Sequence, residues 1–570
     1  MQNFKKLLSQ RLLDAINIGF ANPAITENDL IDMLEYPPDT TMGDIALPCF
    51  KLSRTLRRSP VQIAQIIAEN LNDEAIKKAE PVNGYLNISI SDSYLERVLS
   101  TDILTKGDSY GASDFGKGKT VVLDYSSPNV AKPFHIGHLG TTVIGHSLKK
   151  LHQFVGYDCV GINYLGDWGT QFGKMIVAYK KWGNRDEINA GGIDKLVELY
   201  VKFHHAAEED PALNDEARAE FRKLELNDEE NIALWKWFIE ISVAEYKKTY
   251  GQLGIEFDSY KGESFYTDKM PAQVQKLRDM NLLKIDDGAS IVDLEEYNMP
   301  PCLILKRDGS TLYPTRDIAA AVYRKQTYNF DKAIYVTSAG ESLHFAQWFK
   351  VVELMGYDWY DKLVHVPYGT VSINGAKLAT RTGNVILLKD LFAQAIEKVA
   401  EIMEEKNPDL ENKDKVAEAV GVGAIVFYYL SSNRIRDINF VLEDALSFDG
   451  NTGPYVQYTY ARTCSLLEKA GDFKEDLDII FTADEERELI KTLARFPEKV
   501  IEAIEAYEPS IITRYILDVA AAFNRFYHNC QILSANDEAV LNTRIKLTKA
   551  TNFVLGNAFE LICLKKTKKI

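Results

Sequence analysis

The sequence has no run of about 18 or more consecutive apolar residues, so it predicts no membrane-spanning helix. Its first residues, MQNFKK, lead into a patterned helix that contains Arg11 and Asp14. They lack the apolar core of a secretory signal. The sequence also shows no internal repeat and no low-complexity tract. We therefore expect a cytoplasmic protein without a membrane partner.

Cysteine is scarce, with six residues in 570 and no two close together. This spacing excludes a CxxC zinc pair and a dense disulfide framework, and it is typical of free thiols in a reducing compartment. Acidic residues outnumber basic ones by 82 to 66, which gives a net charge of −16. That charge argues against non-specific coating of nucleic acid, and we expect no DNA partner. A local basic patch can still bind nucleic acid.

Length and patterning predict about three to four domains. Residues 1–109 read as a small α+β domain. Residues 110–388 alternate strands and helices, which predicts a doubly wound parallel sheet of Rossmann type, with a charged helical insertion at about 175–260. From residue 389 the strand signals stop, and helical periodicity predicts an all-α bundle to residue 570.

The strongest chemical signal is residues 126–138, SSPNVAKPFHIGH, between the first predicted strand and helix of the middle region. Ligands of open parallel sheets bind at the carboxyl ends of strands, where helix N-termini offer free N–H groups to anions. Gly137 allows a close approach of a ligand to the backbone. His135 and His138 are spaced to donate hydrogen bonds to phosphate. Half of a metal site and simple capping or core histidines are the alternatives.

The HIGH tetrapeptide resembles the signature of class I aminoacyl-tRNA synthetases, and the flanking SSPNxAKPF resembles the arginyl-tRNA synthetases in that class. The resemblance implies a class I (HUP-type) catalytic domain and an ATP-dependent ligase. Its substrates are ATP, L-arginine and tRNA(Arg), with Mg²⁺ on the phosphates. We expect no metal held by the chain itself, and a monomer.

A second basic stretch, residues 375–384, reads GAKLATRTGN and resembles the class I loop that binds the ATP phosphates. Leu378 and Ala379 differ from the usual pattern, and the second lysine is replaced by Thr380 and Arg381. By resemblance, Lys132 supplies the missing cation, because attack at the α-phosphate builds negative charge there. The alternatives are a solvated loop and a surface lysine. The residues predicted to bind ATP or act in catalysis are Lys132, His135, Gly137, His138, Lys377, Thr380 and Arg381.

Arginine recognition requires planar acceptors in a fork and an aromatic or hydroxyl neighbour. Residues 313–317, YPTRD, resemble the family segment whose Tyr and Asp hold the guanidinium. An ordinary Arg316–Asp317 ion pair is the alternative. The resemblance assigns the remaining contacts to the end of the first strand and to a position usually occupied by Gln. The predicted arginine-binding residues are Asp124, Ser127, Asn129, Tyr313, Asp317 and Glu341.

Two further stretches resemble the parts of the family that touch tRNA: residues 81–90 the N-terminal module at the tRNA elbow, and residues 449–458 the start of the anticodon-binding domain. If residues 51–58 are helical, their basic residues share one face. A solvated basic face is the alternative. The residues predicted to bind tRNA are Lys51, Arg54, Arg58, Asn83, Tyr85, Asn87, Tyr455 and Gln457.

Residues 163–173, NYLGDWGTQFG, resemble the family's strand-to-helix loop, so the resemblance extends over nearly the whole chain. Two other functions remain open: another class I synthetase, such as a cysteinyl enzyme, and a non-catalytic tRNA-binding paralogue. The first lacks its clustered Cys/His zinc ligands here, and the second is expected to have lost the HIGH residues. The basic tail at 564–569 is read as solvated.

Overall fold

The N-terminal part of the chain is a three-stranded antiparallel sheet packed against helices, in a computed structural model that describes residues 2–21, 24–377, 386–471, 474 and 477–570. The strand order is β1-β3-β2. Asn83 and Gly84 both have positive φ, 50° and 85°, as a two-residue hairpin between β2 and β3 requires. The elements are α1 (Gln2–Gly19), α2 (Glu27–Met33), β1 (Ile45–Pro48), α3 (Ser53–Leu56), α4 (Pro60–Asn70), β2 (Ile76–Val82), β3 (Tyr85–Ile90) and α5 (Asp92–Arg97).

The middle of the chain contains the predicted parallel sheet, with strand order β10-β9-β4-β5. β4 lies between β5 and β9, so the chain leaves it first to one side and later to the other. Such a reversal opens a ligand-binding crevice at the carboxyl ends of the strands. The elements are β4 (Thr120–Asp124), α6 (Leu139–Phe154), β5 (Asp158–Ile162), α7 (Thr170–Trp182), α8 (Arg185–Glu209), α9 (Ala212–Glu225), α10 (Glu229–Leu253), α11 (Met270–Asp279), β6 (Leu283–Asp286), β7 (Ala289–Val292), β8 (Cys302–Leu305), α12 (Tyr313–Tyr328), β9 (Lys332–Ser338), α13 (Ser342–Leu354) and β10 (Leu363–Tyr368).

Two features of this region differ from a regular doubly wound domain. Helix α8 is interrupted at Gly192, whose backbone is not helical (φ 61°, ψ −140°). The sequence analysis also missed a second, antiparallel sheet, β6-β7-β8, which the chain forms before α12. Its strands have only four residues each, too short for an alternating pattern to stand out.

Helices dominate the rest of the chain. A three-stranded sheet has the order β12-β11-β13. Its strand β13 spans Ile438–Phe440, so the expectation that no strand follows residue 389 was wrong. Three residues are too few to show a period, and β13 is held by parallel pairing to β11. The elements are β11 (Val371–Ile373), β12 (Ala376–Lys377), α14 (Leu388–Lys406), α15 (Lys413–Ser431), β13 (Ile438–Phe440), α16 (Leu442–Ala445), α17 (Gly453–Ala470), α18 (Asp484–Ala494), α19 (Phe496–Glu505), α20 (Ser510–Asn529) and α21 (Glu538–Leu561).

Ion pairs join the N-terminal sheet domain to helices α18 and α19. Asp92 accepts two hydrogen bonds from Arg487, at 2.9 and 2.8 Å, and Asp44 pairs with Lys491 at 2.7 Å. Lys5 lies 2.9 Å from a carboxylate oxygen of Glu498. None of the described helices is long and apolar enough to cross a membrane.

The basic tail at residues 564–569 was predicted to be solvated, and the structure shows a different arrangement. Lys565, Lys566 and Lys569 pair with Glu418, Glu560 and Glu468 at 3.2, 2.6 and 3.2 Å. Thr567 between them is buried. The tail therefore packs against the helices that precede it.

Candidate active site

The loop after β4 leaves the sheet in an unusual backbone conformation. Ser126 and Ser127 have φ values of 70° and 47°, a region that costs free energy for residues other than glycine. Hydrogen bonds hold the loop in place: Ser126 Oγ lies 2.8 Å from both Thr142 Oγ1 and Tyr250 Oη. Backbone strain of this kind is concentrated at functional sites.

Helix α10 fixes the next part of the same loop. The hydroxyl of Tyr246 donates to the carbonyl oxygens of Asn129 and Lys132, each at 2.8 Å, and Ser242 Oγ accepts a hydrogen bond from the Ala131 N–H. The helical segment that sequence analysis read as an insertion therefore positions the loop that carries Lys132. The Lys132 side chain is exposed.

Residues 135–138, here called the histidine box, form a 3₁₀ turn at the start of α6. His135 Nδ1 accepts a hydrogen bond from the Gly137 N–H, and His138 Nδ1 accepts one from the His135 N–H, both at 3.1 Å. The ring of His138 also stacks on Phe134. Because Nδ1 is the acceptor in both rings, each neutral imidazole carries its proton on Nε2. Both histidines are thus prepared to donate a hydrogen bond from Nε2 to an incoming acceptor.

Both imidazoles of the histidine box are neutral at neutral pH. Burial, followed by the charge of Lys132, lowers the pKa of His135. Burial also lowers the pKa of His138 to about 3, with smaller contributions from His135 and Lys132. A phosphate bound here would therefore meet neutral donors from the histidines and one positive charge from Lys132.

The segment that follows the second basic stretch is attached to the histidine box. The Ile136 N–H donates to the carbonyl of Ile386 at 3.3 Å, and the Leu388 N–H donates to that of Phe134 at 2.9 Å. On the other side, the backbone of Lys377 pairs with Ser372 in β12 and β11. The predicted ATP residues Thr380 and Arg381 lie outside the described residues.

The described residues near the end of β4 contain a group of paired charges, here called the carboxylate cluster. It comprises the carboxylates Asp124, Glu263 and Asp317 and the cations Arg324, Arg316 and His344. Asp317 influences the titration of both Asp124 and Glu263, so the three carboxylates share one electrostatic environment.

Asp124 already has partners within the chain, which differs from the expectation that it faces a substrate guanidinium. Its Oδ2 lies 2.7 Å from Nη2 of Arg324, whose side chain is 1% exposed. Ser127 Oγ donates to Asp124 Oδ1 at 2.9 Å and accepts the N–H of Tyr164 at 3.1 Å. Burial raises the pKa of Asp124, while Arg324 and Ser127 oppose that shift. Asp124 therefore organises the end of β4 in this state.

Arg324 and Glu263 are two members of the cluster that sequence analysis missed. Arg324 lies over the rings of Tyr164, Tyr335 and Tyr266, at 5.1, 5.6 and 6.0 Å from their centroids. The available signal was a pair of basic residues, Arg324 and Lys325, directly after the stretch 318–323, which carries no charge. Nothing in that pattern shows which of the two side chains is buried.

Glu263 pairs with Arg316, so the alternative of an Arg316–Asp317 ion pair is not what the structure shows. Burial raises the pKa of Glu263 to about 7. The charge of Arg316 opposes this shift, and the charges of Asp317 and Asp167 add to it. No sequence pattern predicts a role for this residue, which follows Gly262 and precedes Ser264 and two aromatic residues.

Asp317 faces His344, with Oδ2 and Nε2 2.6 Å apart. Tyr313 begins the same helix α12 and is 66% exposed. Glu341 is exposed at the end of a 3₁₀ turn after β9, one turn before His344. The sequence-predicted residues Tyr313, Asp317 and Glu341 thus lie on the segments that border the carboxylate cluster.

The hydroxyl of Tyr164 is buried and has no hydrogen-bond partner among the described residues. The charges of Asp317, Glu263, Arg324 and Arg316 all act on it. Leaving a buried hydroxyl unpaired costs free energy, which a ligand with a hydrogen-bonding group would recover. This unpaired group indicates that a polar ligand binds beside the carboxylate cluster.

Asn129 lies against the loop between β5 and α7. A Cβ on Gly166 would fall 2.1 Å from Asn129 Oδ1, so only glycine allows this approach. Asn129 remains exposed. It therefore lies at the surface of the loop that leads from β4 to the histidine box.

The predicted tRNA-binding residues of the N-terminal domain are all at least partly exposed. Lys51 and Arg54 lie on a short helical stretch that ends at Leu56, and Arg57 then has a φ of 51°. Arg58 therefore does not share a helical face with Lys51 and Arg54, and the prediction that it would is wrong. Asn83, Tyr85 and Asn87 lie on the β2–β3 hairpin, where Tyr85 packs edge-on against the exposed Phe50.

Gln457 does not fit its predicted role in tRNA binding. Its side chain is fully buried, and its Nε2 donates to the carbonyls of Ala419 and Lys565 at 3.2 and 3.0 Å. It joins α15 and the tail to α17. Tyr455, two residues earlier, is partly exposed and its hydroxyl accepts a hydrogen bond from Asn524. Position within a helix separates the two residues, and the motif alone does not show it.

Comparison with known proteins gives matches along the whole chain. Three family models match: "Arginyl tRNA synthetase N terminal domain" at residues 2–90, "tRNA synthetases class I (R), catalytic domain" at 100–442, and "DALR anticodon binding domain" at 456–570. Curated arginine–tRNA ligases of Alkaliphilus metalliredigens and Clostridium perfringens are 49% and 48% identical to it, each over 100% of both chains.

The chain belongs to the arginyl-tRNA synthetase family. Solved structures agree on the fold of this arginyl-tRNA synthetase family member. That of Thermus thermophilus arginyl-tRNA synthetase matches with a TM-score of 0.83 at 23% identity, over 99% of this chain and 100% of that one. The enzyme from Plasmodium falciparum matches with a TM-score of 0.82 at 25% identity, over 100% and 99%.

Proposed function

We propose that the chain is an arginine–tRNA ligase that activates L-arginine with ATP and transfers it to the terminal ribose of tRNA(Arg), releasing AMP and pyrophosphate. The observations that carry this proposal are two neutral Nε2 donors on the loop that follows β4 and a cluster of three carboxylates that includes Asp124 at the end of β4. Phosphates suit the first group and a guanidinium suits the second.

No side chain is needed as a nucleophile in this reaction. The carboxylate of arginine attacks the α-phosphate, and the chain positions the reactants and stabilises the developing charge. We assign phosphate contacts to His135, His138 and the backbone at Gly137, and the charge stabilisation to Lys132. Lys377, Thr380 and Arg381 are proposed to complete the phosphate site. Mg²⁺ enters with ATP, bound to its phosphates.

For arginine, we propose that Asp317 binds the guanidinium, with Tyr313 beside it and Glu263 as a second carboxylate. The unpaired hydroxyl of Tyr164 supports a polar group at this place. Ser127, Asn129 and Glu341 are assigned to the α-amino and α-carboxylate groups. Asp124 acts through Ser127, which donates a hydrogen bond to it, and through Arg324, with which it forms an ion pair.

For tRNA, we propose that the N-terminal domain, residues 1–109, contacts the elbow. Exposed basic and aromatic groups support this surface, namely Lys51, Arg54, Arg58, Asn83, Tyr85 and Asn87. Residues 110–388 are the catalytic domain and residues 389–570 the stem and anticodon-binding domain, where Tyr455 is the remaining candidate. The enzyme is proposed to act as a cytoplasmic monomer.

The decisive experiment is ATP–pyrophosphate exchange with each amino acid, with and without tRNA, followed by aminoacylation of tRNA(Arg). We expect pyrophosphate exchange and tRNA aminoacylation with arginine and with no other amino acid. Rejection of citrulline, which is nearly isosteric but neutral, is the sharpest control. If the chain binds tRNA but aminoacylates it with no amino acid, it is instead a non-catalytic paralogue. A separate measurement, light scattering, tests whether the enzyme is a monomer.

A further inference from the structure

Every carboxylate of the cluster is already paired within the chain. Asp124 faces Arg324, Glu263 faces Arg316 and Asp317 faces His344. An arriving guanidinium must therefore compete with an internal cation. Arginine side chains cannot lose their charge in proteins, whereas histidine can. Of the three pairs, the Asp317–His344 pair is thus the one whose internal charge can leave without a large movement.

We propose that His344 is an exchangeable counter-ion for Asp317, and that arginine binding at Asp317 drives one proton from His344 into solvent. This inference rests on the proposed function. The charges balance, because the guanidinium brings one positive charge to the cluster and the imidazolium loses one as H⁺. His344 then remains as a neutral ring beside Asp317. It acts as a positioning residue, since it sets the state of the carboxylate that meets the substrate.

The surroundings of His344 support a titration of this kind. Burial opposes its charge, but the hydrogen bond to Asp317 and the charges of Asp317 and Glu341 raise the pKa of His344 overall. Its side chain is 22% exposed, which leaves a route for the proton to reach solvent. A guanidinium at Asp317 would cancel the attraction that holds this proton, and the pKa of His344 would fall.

Glu263, another member of the carboxylate cluster, titrates in the same range, because burial raises its pKa to about 7 against the opposing charge of Arg316. The described groups on β10 and β8 do not. On β10, burial lowers the pKa of His365 to about 4, with smaller effects of Arg434 and His344. On β8, burial raises the pKa of Cys302 to about 12, with a further contribution from Asp317. The part of the pH dependence that His344→Gln removes therefore belongs to His344, and the part that remains belongs to Glu263.

The direction of the effect follows from linkage. Protonated His344 occupies Asp317 and weakens arginine binding, so the apparent affinity for arginine rises as pH rises through the pKa of the free enzyme. For one released proton the limiting slope is about tenfold per pH unit. Above that pKa the KM for arginine becomes constant. ATP is proposed to bind at the histidine box and not at this pair, so its KM should not follow the same curve.

The test measures the KM for arginine in aminoacylation between about pH 6 and pH 8.5, where the α-amino group of arginine stays mostly protonated. ATP and tRNA are saturating, and the full chain is used. We compare the unmodified protein with His344→Gln, which keeps an N–H donor but cannot titrate. The matched control is His205→Gln, because His205 is an exposed histidine on α8, in the helical insertion.

The unmodified protein and His205→Gln should show a KM for arginine that falls as pH rises, and His344→Gln should show a shallower profile that keeps only the contribution of Glu263. Only the slope is compared, so a change in the absolute KM of His344→Gln is not part of the test. A flat profile in the unmodified protein overturns the inference. So does a slope in His344→Gln as steep as that of the unmodified protein.

A second measurement records the released protons directly. Arginine is mixed with the unmodified chain and with His344→Gln in a weakly buffered indicator solution near pH 7. The unmodified chain should release more protons per bound arginine, by up to one, and the difference should shrink as the pH rises above the pKa of His344. Equal release by the two proteins, with intact arginine charging, overturns the inference alone. Absence of charging at every pH contradicts the proposed function instead.

Discussion

At the histidine box both imidazoles are neutral and their Nδ1 atoms are held by backbone N–H groups, so the geometry is fixed by short, local hydrogen bonds. At the carboxylate cluster the side chains come from distant segments and meet as opposite charges, from Asp124 and Arg324 to Asp317 and His344. The proposed phosphate end is thus preorganised by its own backbone. The proposed guanidinium end depends on a balance of charges, which substitution or pH can upset.

The largest effect is expected from removing a charge at the guanidinium end. Asp317→Asn keeps the shape but turns one acceptor into a donor aimed at another donor. Loss of one partner of a buried charged pair typically costs about 3–5 kcal/mol, so kcat/KM for arginine should fall by roughly 10²–10³-fold or more.

Steady-state kinetics at saturating ATP measures the effect of Asp317→Asn, and ATP binding should be unchanged. The matched control is Asp361→Asn, which removes an exposed carboxylate paired with Lys362. An unchanged KM for arginine in Asp317→Asn would place the guanidinium elsewhere.

The next effect tests the positive charge that Lys132 is proposed to bring to the phosphate end. Lys132→Ala should lower the rate of arginyl-adenylate formation by roughly 10²-fold, the typical loss for one preorganised donor. The KM for arginine should change little. Single-turnover kinetics separates activation from transfer. Lys117→Ala, a change at an exposed lysine of the same domain, is the control, and near-normal activation by Lys132→Ala would contradict the assignment.

Substitutions of His138 separate its inner acceptor from its outer donor. His138→Asn retains an oxygen near Nδ1 but removes the outward donor, whereas His138→Gln retains a longer donor and disturbs the inner hydrogen bond. We expect His138→Asn to lower kcat by about 10–10²-fold with arginine binding intact. If His138→Asn and His138→Gln instead alter the KM for arginine, the two ends are not independent.

The two ends should also differ in their response to pH. Burial lowers the pKa of His138 to about 3, so this ring remains neutral at every pH above about 5. The depressed pKa destabilises the folded chain only as the pH falls below the ordinary histidine value of about 6.5, because the unfolded chain then binds a proton that the buried ring does not. The KM for ATP should therefore vary less than about threefold between about pH 6 and pH 8.5. A steep dependence would show that charge also governs the phosphate end.

The smallest effect on the phosphate and guanidinium ends is expected from substitutions in the N-terminal domain. Charge reversal at Arg54 and Arg58 should raise the KM for tRNA and reduce its salt slope by about 1 per lost phosphate contact. The KM values for ATP and arginine should not move. Charge reversal at Lys78, an exposed lysine on β2 paired with Glu80, provides the control. An unchanged salt slope would favour a merely solvated face.

The contrast between the ends also explains what the sequence allowed us to predict. The alternation of strand and helix patterns over residues 110–388 predicted the parallel sheet β10-β9-β4-β5, because each such pattern is local in sequence. The histidine box was found because its residues are adjacent in sequence. Arg324 and Glu263 were missed because their importance arises from partners 200 and 53 positions away, Asp124 and Arg316. Gln457 was misjudged because a motif does not show which side of a helix is buried.

The ion pairs between the N-terminal domain and helices α18 and α19 have a consequence for synthesis of the chain. Lys5 and Glu498 are 493 positions apart, and Asp92 and Arg487 are 395 apart. Because translation proceeds from the N-terminus, the first domain emerges long before its docking surface exists. Charged groups remain hydrated while they wait, whereas an exposed apolar face would invite aggregation. These charged contacts let the ribosome deliver their two partners far apart in time.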